Sequence, residues 1–162
     1  MNNDFCDVTK SALWTVSSVK GGYEISSMFD GKKDTFWQSD ALPPHFLCAQ
    51  FSKRTYISKV SIFLSIQNDE TYTPTEIAVH IGEDPSRLTC FLKEELGQLQ
   101  GWIDINIETP TIFFKIEITK NHQGGRDSRI RLIKLWGSPR SSSVDSNLFF
   151  ISPDVTKYLT IR

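Results

Sequence analysis

The chain has 162 residues, the size of one ordinary domain. Its 39% hydrophobic and 23% charged residues are typical of a folded protein and exclude a disordered one. The formal net charge of −1 gives no positive surface of the kind that phosphate backbones require, so no nucleic-acid partner is expected.

The cysteines and the first residues bear on the compartment. Cys6, Cys48 and Cys90 lie far apart and form no CxxC pair, which argues against a disulfide framework and a cysteine-based zinc site. The N-terminus lacks a basic region followed by an apolar one, and no run of about 18 apolar residues occurs. We therefore expect free thiols, no membrane association and a location in the nucleus and cytoplasm.

The first predicted element in the chain is a short helical turn around Ser26 to Phe29. In the turn-rich segment 29–40, Trp37 is expected to close the end of the fold, while Ser39 and Asp40 are freer to face a partner. Seven segments then alternate apolar and polar residues, as half-buried strands do: LCAQF (47–51), KVSIFLSI (59–66), EIAVHIG (76–82), RLTCFLKE (87–94), GWIDINI (101–107), IFFKIEITK (112–120) and RIRLIKLWG (129–137). Alternation is weakest in 87–94 and imperfect in 129–137. Breakers such as Thr109-Pro110 and Gly124-Gly125 are expected to separate the strands.

Many short strands with turns between them predict an all-β fold, a β-sandwich of the jelly-roll type. Short helical turns are expected on its N-terminal side. Because the strands are occupied with burial, function is expected on the loops.

The sequence changes character after Gly137, which predicts a jelly-roll domain over 1–137 and a linker with a C-terminal tail over 138–162. The linker is rich in Ser, and the tail that follows it is apolar. Two interpretations remain open at this point. The tail either folds back over its own sandwich or docks as a peptide in another protein's groove, with Ile161 as an apolar anchor and Arg162 offering a guanidinium group.

Little in the sequence suggests catalysis. No GxSxG, HExxH or phosphate-binding glycine loop occurs, and His45, His80 and His122 lie far apart, so neither a catalytic residue nor a metal or cofactor is predicted. The segment NHQGGRDSR (121–129) could be a catalytic loop with His122 as base, a loop that holds a partner, or a hydrophilic turn. Residue types alone favour the plain turn, because Asn, Gly and Asp are also what turns require.

Several motifs nevertheless occur together in an order that points to one family. They are Asp30-Gly31 with TFWQSD (35–40), DETYTP (69–74), GWI (101–103), NHQGGRD (121–127) with Ile133-Lys134, and a final Ile161-Arg162. Together they resemble the DOC-domain subunit of the anaphase-promoting complex, or cyclosome. The resemblance runs from about Ser11 to the last residue.

The resemblance implies a galactose-binding-like or discoidin-like jelly roll, the DOC domain, in a non-catalytic processivity subunit of a ubiquitin ligase. It implies that this subunit binds the destruction-box degron of substrates together with a WD40 coactivator, near a cullin and RING catalytic module. The residues implied in degron binding are Ser39, Asp40, Tyr72, Thr73, His122, Gln123, Arg126 and Asp127. Ile161 and Arg162 are implied in docking to a tetratricopeptide-repeat scaffold subunit. A free-standing carbohydrate-binding module of the same architecture is the alternative, and an enzyme with His122 as base ranks third.

Overall fold

The computed structural model describes residues 5–138, so the predicted docking pair Ile161 and Arg162 lies outside the described residues. Within that range there are nine strands: β1 (Cys6–Asp7), β2 (Ala12–Val16), β3 (Trp37–Gln38), β4 (His45–Ser65), β5 (Pro74–Gly82), β6 (Thr89–Glu95), β7 (Gln100–Asn121), β8 (Arg129–Ile130) and β9 (Leu132–Ser138). One short α-helix, α1 (Ile66–Asp69), follows β4. Short 3₁₀ turns cover Thr9–Ser11, Ile25–Phe29, Glu70–Tyr72 and His122–Gly124.

Two long strands organise the sheet. β4 has 21 residues and β7 has 22, and the antiparallel order around them is β1-β9-β4-β7-β5-β6, with β2 also paired to β4. The register of β4 against β7 shifts between Gln50 and Thr55 and again between Ile57 and Lys59, as it does at β-bulges. Both halves of β4 bury side chains in the same core, Leu47 and Ala49 before the shifts and Val60 and Ile62 after them. The sheet is therefore folded over on itself around one core, which confirms the predicted jelly-roll sandwich.

The continuity of β4 and β7 corrects the predicted strand list. Segments 47–51 and 59–66 are parts of one strand, and so are 101–107 and 112–120. Thr109-Pro110 does not end β7; Pro110 lies opposite Tyr56 in the ladder, just after Glu108, whose φ is 54°. The breaker therefore marks a bend in a strand and not its end.

The predicted strand over 129–137 is broken at Arg131, between β8 and β9. Arg131 is only 6% exposed and its guanidinium group is bonded inside the molecule. The alternation changes phase just after this break, at the apolar pair Leu132-Ile133. The predicted helical turn is confirmed as the 3₁₀ turn Ile25–Phe29, and Trp37 is fully buried as expected, its Nε1 donating to the Ser18 carbonyl at 3.0 Å. β9 ends at Ser138, one residue beyond the predicted domain boundary, and the division of the chain after it stays a prediction.

Candidate functional site

Three loops come together at one end of the sandwich: 39–44, 66–73 and 121–128. Because β4 folds over with the sheet, the segments before its start and after its end both reach this place. The backbone shows the contact directly, since His122 N donates to the Thr73 carbonyl at 2.8 Å and Ser39 N donates to the Ser128 carbonyl at 3.0 Å. The motifs WQSD, ETYTP and NHQGGRD therefore form one surface, although Ser39 and Asp127, which are hydrogen-bonded, lie 88 positions apart in the chain.

A buried polar network joins the first and third loops. Ser39 Oγ donates to Asp127 Oδ1 at 2.9 Å and accepts from Ser128 N at 2.9 Å. The same Asp127 oxygen accepts from Ala41 N at 3.3 Å, and Ser128 Oγ donates to Asn121 Oδ1 at 2.7 Å. With its hydroxyl bonded on both sides, Ser39 is a structural link between the loops.

Gly125 allows the second and third loops to touch. A Cβ at this position would lie 1.9 Å from the Thr71 carbonyl oxygen, so every other residue is excluded unless the loops separate. Beneath the same loop, fully buried His45 places its Nε2 2.6 Å from the Arg126 carbonyl oxygen. Because a carbonyl oxygen only accepts hydrogen bonds, Nε2 carries the proton of this contact.

A buried ion cluster lies under the second loop. Asp69, 1% exposed, accepts two hydrogen bonds from Arg131, at 2.9 Å from Nε and at 2.7 Å from Nη2. A second arginine, Arg129, donates to the same carboxylate at 3.3 Å and to Gln38 Oε1 at 3.0 Å. The bidentate pair fixes the end of α1 against the β8–β9 segment. Sequence reasoning missed this cluster, although the break in alternation just after Arg131, where Leu132 and Ile133 are both apolar, was a signal that the pattern changes here.

Aromatic rings extend the cluster to the surface. The Arg129 guanidinium carbon lies 4.3 Å from the Phe36 ring centroid and 4.0 Å from the Tyr72 centroid. Phe36 in turn stacks on Tyr23 at 4.8 Å, with an angle of 7° between the planes. Tyr72 is thus held by cation–π contact with a cation that is itself held by Asp69.

The eight predicted site residues differ in what they present to solvent. Ser39 and Thr73 are fully buried, so the expectation that Ser39 faces outward is wrong: its hydroxyl is used within the fold. The Asp127 side chain is 14% exposed and its Oδ1 is bonded inward, whereas the Arg126 side chain is 58% exposed. Asp40 and Gln123 are exposed, and Tyr72 and His122 are half-buried. The contact role predicted for all eight residues is not tested by these positions.

Backbone strain is concentrated at the same place. Of the three non-glycine residues with left-handed φ in residues 5–138, two lie in these loops: Glu70 at 50° and Gln123 at 53°. Such conformations cost free energy and persist where the surroundings fix them. The neighbouring hydrogen bonds, from Thr73 N to the Glu70 carbonyl and from Gly125 N to the His122 carbonyl, fix them here. The exposed side chains of the loops are therefore held on a rigid frame.

The hydrogen bonds of the three loops do not resemble those of a catalytic acid–base pair. In a catalytic site with His122 as the base, Asp127 would be the acid that orients the imidazole ring. Its Oδ1 instead accepts hydrogen bonds from Ser39 Oγ and Ala41 N. Across the described part of the chain, no three His, Cys, Asp or Glu side chains are grouped as metal ligands would be. No helix within residues 5–138 has the length and apolarity to cross a membrane. What the loops offer is a polar surface with exposed donors and acceptors.

Comparisons with known proteins show two kinds of similarity. The family model described as "Anaphase-promoting complex, subunit 10" matches residues 1–159. The anaphase-promoting complex subunit 10 of Homo sapiens is 33% identical over 162 residues, covering 96% of this chain and 88% of the relative. That of Dictyostelium discoideum is 36% identical, with 96% and 86% covered. The subunit DOC1 of Saccharomyces cerevisiae is 36% identical over 138 residues, with 80% and 55% covered.

The similar solved structures include carbohydrate-binding modules of Clostridium perfringens. A module described as CpGH89CBM32-5, in complex with GalNAc-beta-1,3-galactose, has a TM-score of 0.69 and 14% identity, covering 80% of this chain and 99% of the module. A family 32 module from NanJ, in complex with galactose, has a TM-score of 0.68 and 15% identity, covering 82% and 98%. At such low identity the similarity establishes the galactose-binding-like jelly roll and nothing about the ligand.

Proposed function

Because this chain belongs to the family of anaphase-promoting complex subunit 10, we propose that it is a subunit of that ubiquitin ligase and recognises its substrates. In the finer form of the proposal, the chain adds no catalytic residue. It forms a receptor for the destruction-box degron together with a WD40 coactivator, and it raises the number of ubiquitins added per encounter.

The match of the family model to residues 1–159 carries the proposal. The geometry agrees with it, because the three motifs that resemble the family's ligand loops lie side by side on one rigid surface. A binding surface is favoured over a reaction centre, since Asp127 is bonded to the frame and not to His122.

Within this proposal, the eight residues fall into two groups according to whether their side chains reach the solvent. We assign peptide contact to the five with exposed or half-buried side chains: Asp40, Tyr72, His122, Gln123 and Arg126. Ser39, Thr73 and Asp127 support the loops from below. Arg126 is suited to a carboxylate or carbonyl, because only its Nε has a hydrogen bond within the described chain, to the Ala41 carbonyl at 3.3 Å.

The proposed mechanism follows from the free energy that is lost when an extended peptide is ordered on binding. A short degron loses conformational entropy on binding, so one shallow site holds it weakly. If the coactivator holds one part of the degron and these loops hold its polar remainder, the two contacts add to the binding free energy. Each additional 1.4 kcal/mol or so of that free energy lengthens the residence time about tenfold. Longer residence allows more ubiquitin transfers before release.

The remaining assignments belong to the same proposal. Ile161 and Arg162 would dock in a tetratricopeptide-repeat scaffold subunit, and a cullin and RING module would supply the chemistry. The complex would act in the nucleus and cytoplasm during the cell cycle. No cofactor is required by this mechanism.

The test is a reconstituted ligase carrying the triple change His122→Ala, Gln123→Ala and Arg126→Ala. We expect roughly threefold to tenfold fewer ubiquitins per binding event, because several hydrogen bonds of modest worth are lost together. Asp127 is left unchanged, since its removal would also disturb Ser39 and Ala41. The matched control is Arg87→Ala, which removes an arginine whose side chain is 86% exposed in a different loop.

Two results would contradict the proposal. One is a triple variant as processive as the control, with both folded. The other is saturable binding of galactose or N-acetylgalactosamine to the isolated chain, lost in the triple variant, which would favour the free-standing carbohydrate module.

A further inference from the structure

A second surface, outside the three loops, lies on the outer face of β9, β4 and β7. Its members are three aromatic rings and three lysines, Phe63, Trp102, Trp136, Lys33, Lys59 and Lys134, which we call the tryptophan-lysine patch. The ladder brings them together, since Phe63 lies opposite Trp102 and Lys59 lies opposite Trp136. The alternate residues Val60, Ile62 and Leu64 are buried, so this face of β4 points away from the core.

Hydrogen bonds fix the arrangement of the patch. Trp136 Nε1 donates to Ser61 Oγ at 3.0 Å, and Ser61 Oγ donates to Asp104 Oδ1 at 2.6 Å. Lys59 Nζ donates to the other oxygen of Asp104 at 3.2 Å. The hydrogen bond from Ser61, assisted by Lys59 against the effect of burial, lowers the pKa of the Asp104 carboxyl. Asp104, the carboxylate among these hydrogen-bonded residues, is thus charged and already bound to Ser61 and Lys59.

Two of the lysines have no carboxylate partner within residues 5–138. Lys134 Nζ lies 5.6 Å from the Trp102 ring centroid and 5.7 Å from that of Trp136. Lys33 Nζ lies 5.0 Å from the Phe63 centroid, and Phe63 meets Trp102 edge-on at 5.5 Å. Their ammonium groups face rings, and within the patch there are three lysines and one carboxylate. Asp7 and Asp30 line a cavity beside Lys134, but their carboxylates accept hydrogen bonds from Thr9, Lys32 and Thr35. The patch is locally positive in a chain whose formal net charge is −1.

We propose that the tryptophan-lysine patch binds an acidic, extended segment of a partner protein. Carboxylates of the segment pair with Lys33 and Lys134, and apolar side chains between them pack on Trp102, which is 38% exposed. Three adjacent strands give a face about 10 Å wide, which suits one extended peptide. A nucleic acid is disfavoured because the formal net charge of the chain is −1, which gives no extended positive surface for a phosphate backbone.

The experiment measures fluorescence anisotropy of a labelled peptide mixed with the full chain. The probe alternates glutamate and leucine over about eight residues, roughly 27 Å when extended, and a matched peptide has glutamine in place of glutamate. We expect saturable binding of the acidic peptide that weakens with added salt. The double change Lys33→Gln and Lys134→Gln should weaken it about tenfold, and Trp102→Ala by a similar factor. Lys53→Gln, which removes an exposed lysine of β4 outside the patch, should leave it unchanged.

The inference would be overturned by equal binding of the glutamine peptide, by tighter binding of an oligothymidylate strand, or by no binding of the acidic peptide to the unaltered chain. Self-association in sedimentation that Trp102→Ala abolishes would also overturn it, because the patch would then join two copies of the chain. Binding that is lost in the triple variant at His122, Gln123 and Arg126 but kept in the Lys33 and Lys134 variant would also overturn it, because the acidic peptide would then bind the three loops; this comparison separates the inference from the proposed function.

Discussion

Adjacent residues with similar sequence signals have different tasks in this site. The pair Gly124-Gly125 predicts a tight turn, and the sequence assigns both glycines the same role in that turn. In the structure Gly124 has a φ of 70° and open space around it, whereas Gly125 is required by the approach of Thr71. Likewise, Arg126 is exposed and Asp127 is bonded inward. Residue types give the polarity of such a loop, but the side that each residue faces depends on a neighbouring loop more than 50 positions away in the chain.

Gly125→Ala should therefore destabilise the whole domain. The added Cβ would meet the Thr71 carbonyl oxygen at 1.9 Å, so the two loops must move apart, which strains the nearby hydrogen bond from His122 N to the Thr73 carbonyl. We expect a loss of roughly 2–3 kcal/mol and a fall in melting temperature of about 5–10 °C. Gly21→Ala is the control, because nothing lies within 4 Å of its added Cβ. Equal melting temperatures for the two variants would mean that the loops are not held together through Gly125.

At the scale of elements, the ion cluster shows what alternation cannot predict. A charged residue at a position of a strand that should face the core indicates either that the strand ends there or that the charge forms a buried ion pair. At Arg131 both occur. The partner, Asp69, comes from α1, and no local pattern in the sequence connects 69 with 131. The DETYTP motif was singled out for Tyr72 and Thr73, yet its first residue is the one that fixes the loop.

Asp69→Asn should be strongly destabilising. The change leaves the buried Arg131 and the half-buried Arg129 without their carboxylate, and removing one member of a buried pair costs about 3–5 kcal/mol. Chemical denaturation is the measurement. Asp84→Asn is the control: it also removes a carboxylate that accepts hydrogen bonds, from Ser86, but its side chain is 53% exposed, so the effect should be slight. A loss no greater than that of the control would show that the cluster is dispensable.

At the scale of the whole molecule, period-2 alternation was sufficient to predict a sandwich, because each half-buried strand carries its own pattern. It was not sufficient to join the strands. Segments 47–51 and 59–66 were predicted as separate strands, yet the residues between them pass from one part of β4 to the other through two register shifts. The same bend brings both ends of β4 to the surface that the three loops form, so the placement of these loops follows from the folded sheet and not from any single segment. Only the order of the motifs, matched to a family, predicted that those loops act together.

The last prediction concerns the tail, for which the sequence left two interpretations open. Residues 5–138 already supply a core that extends from Val8 to Leu135, so we expect the isolated chain to keep its melting temperature, within about 2 °C, when Ile161 and Arg162 are deleted. Incorporation into the ligase should fall sharply, since the proposed anchor and its guanidinium group are both lost. Co-purification with the scaffold subunit measures this, and Lys157→Gln, a charge change elsewhere in the tail, is the control. A marked drop in melting temperature with unchanged incorporation would instead support a tail that packs on its own sandwich.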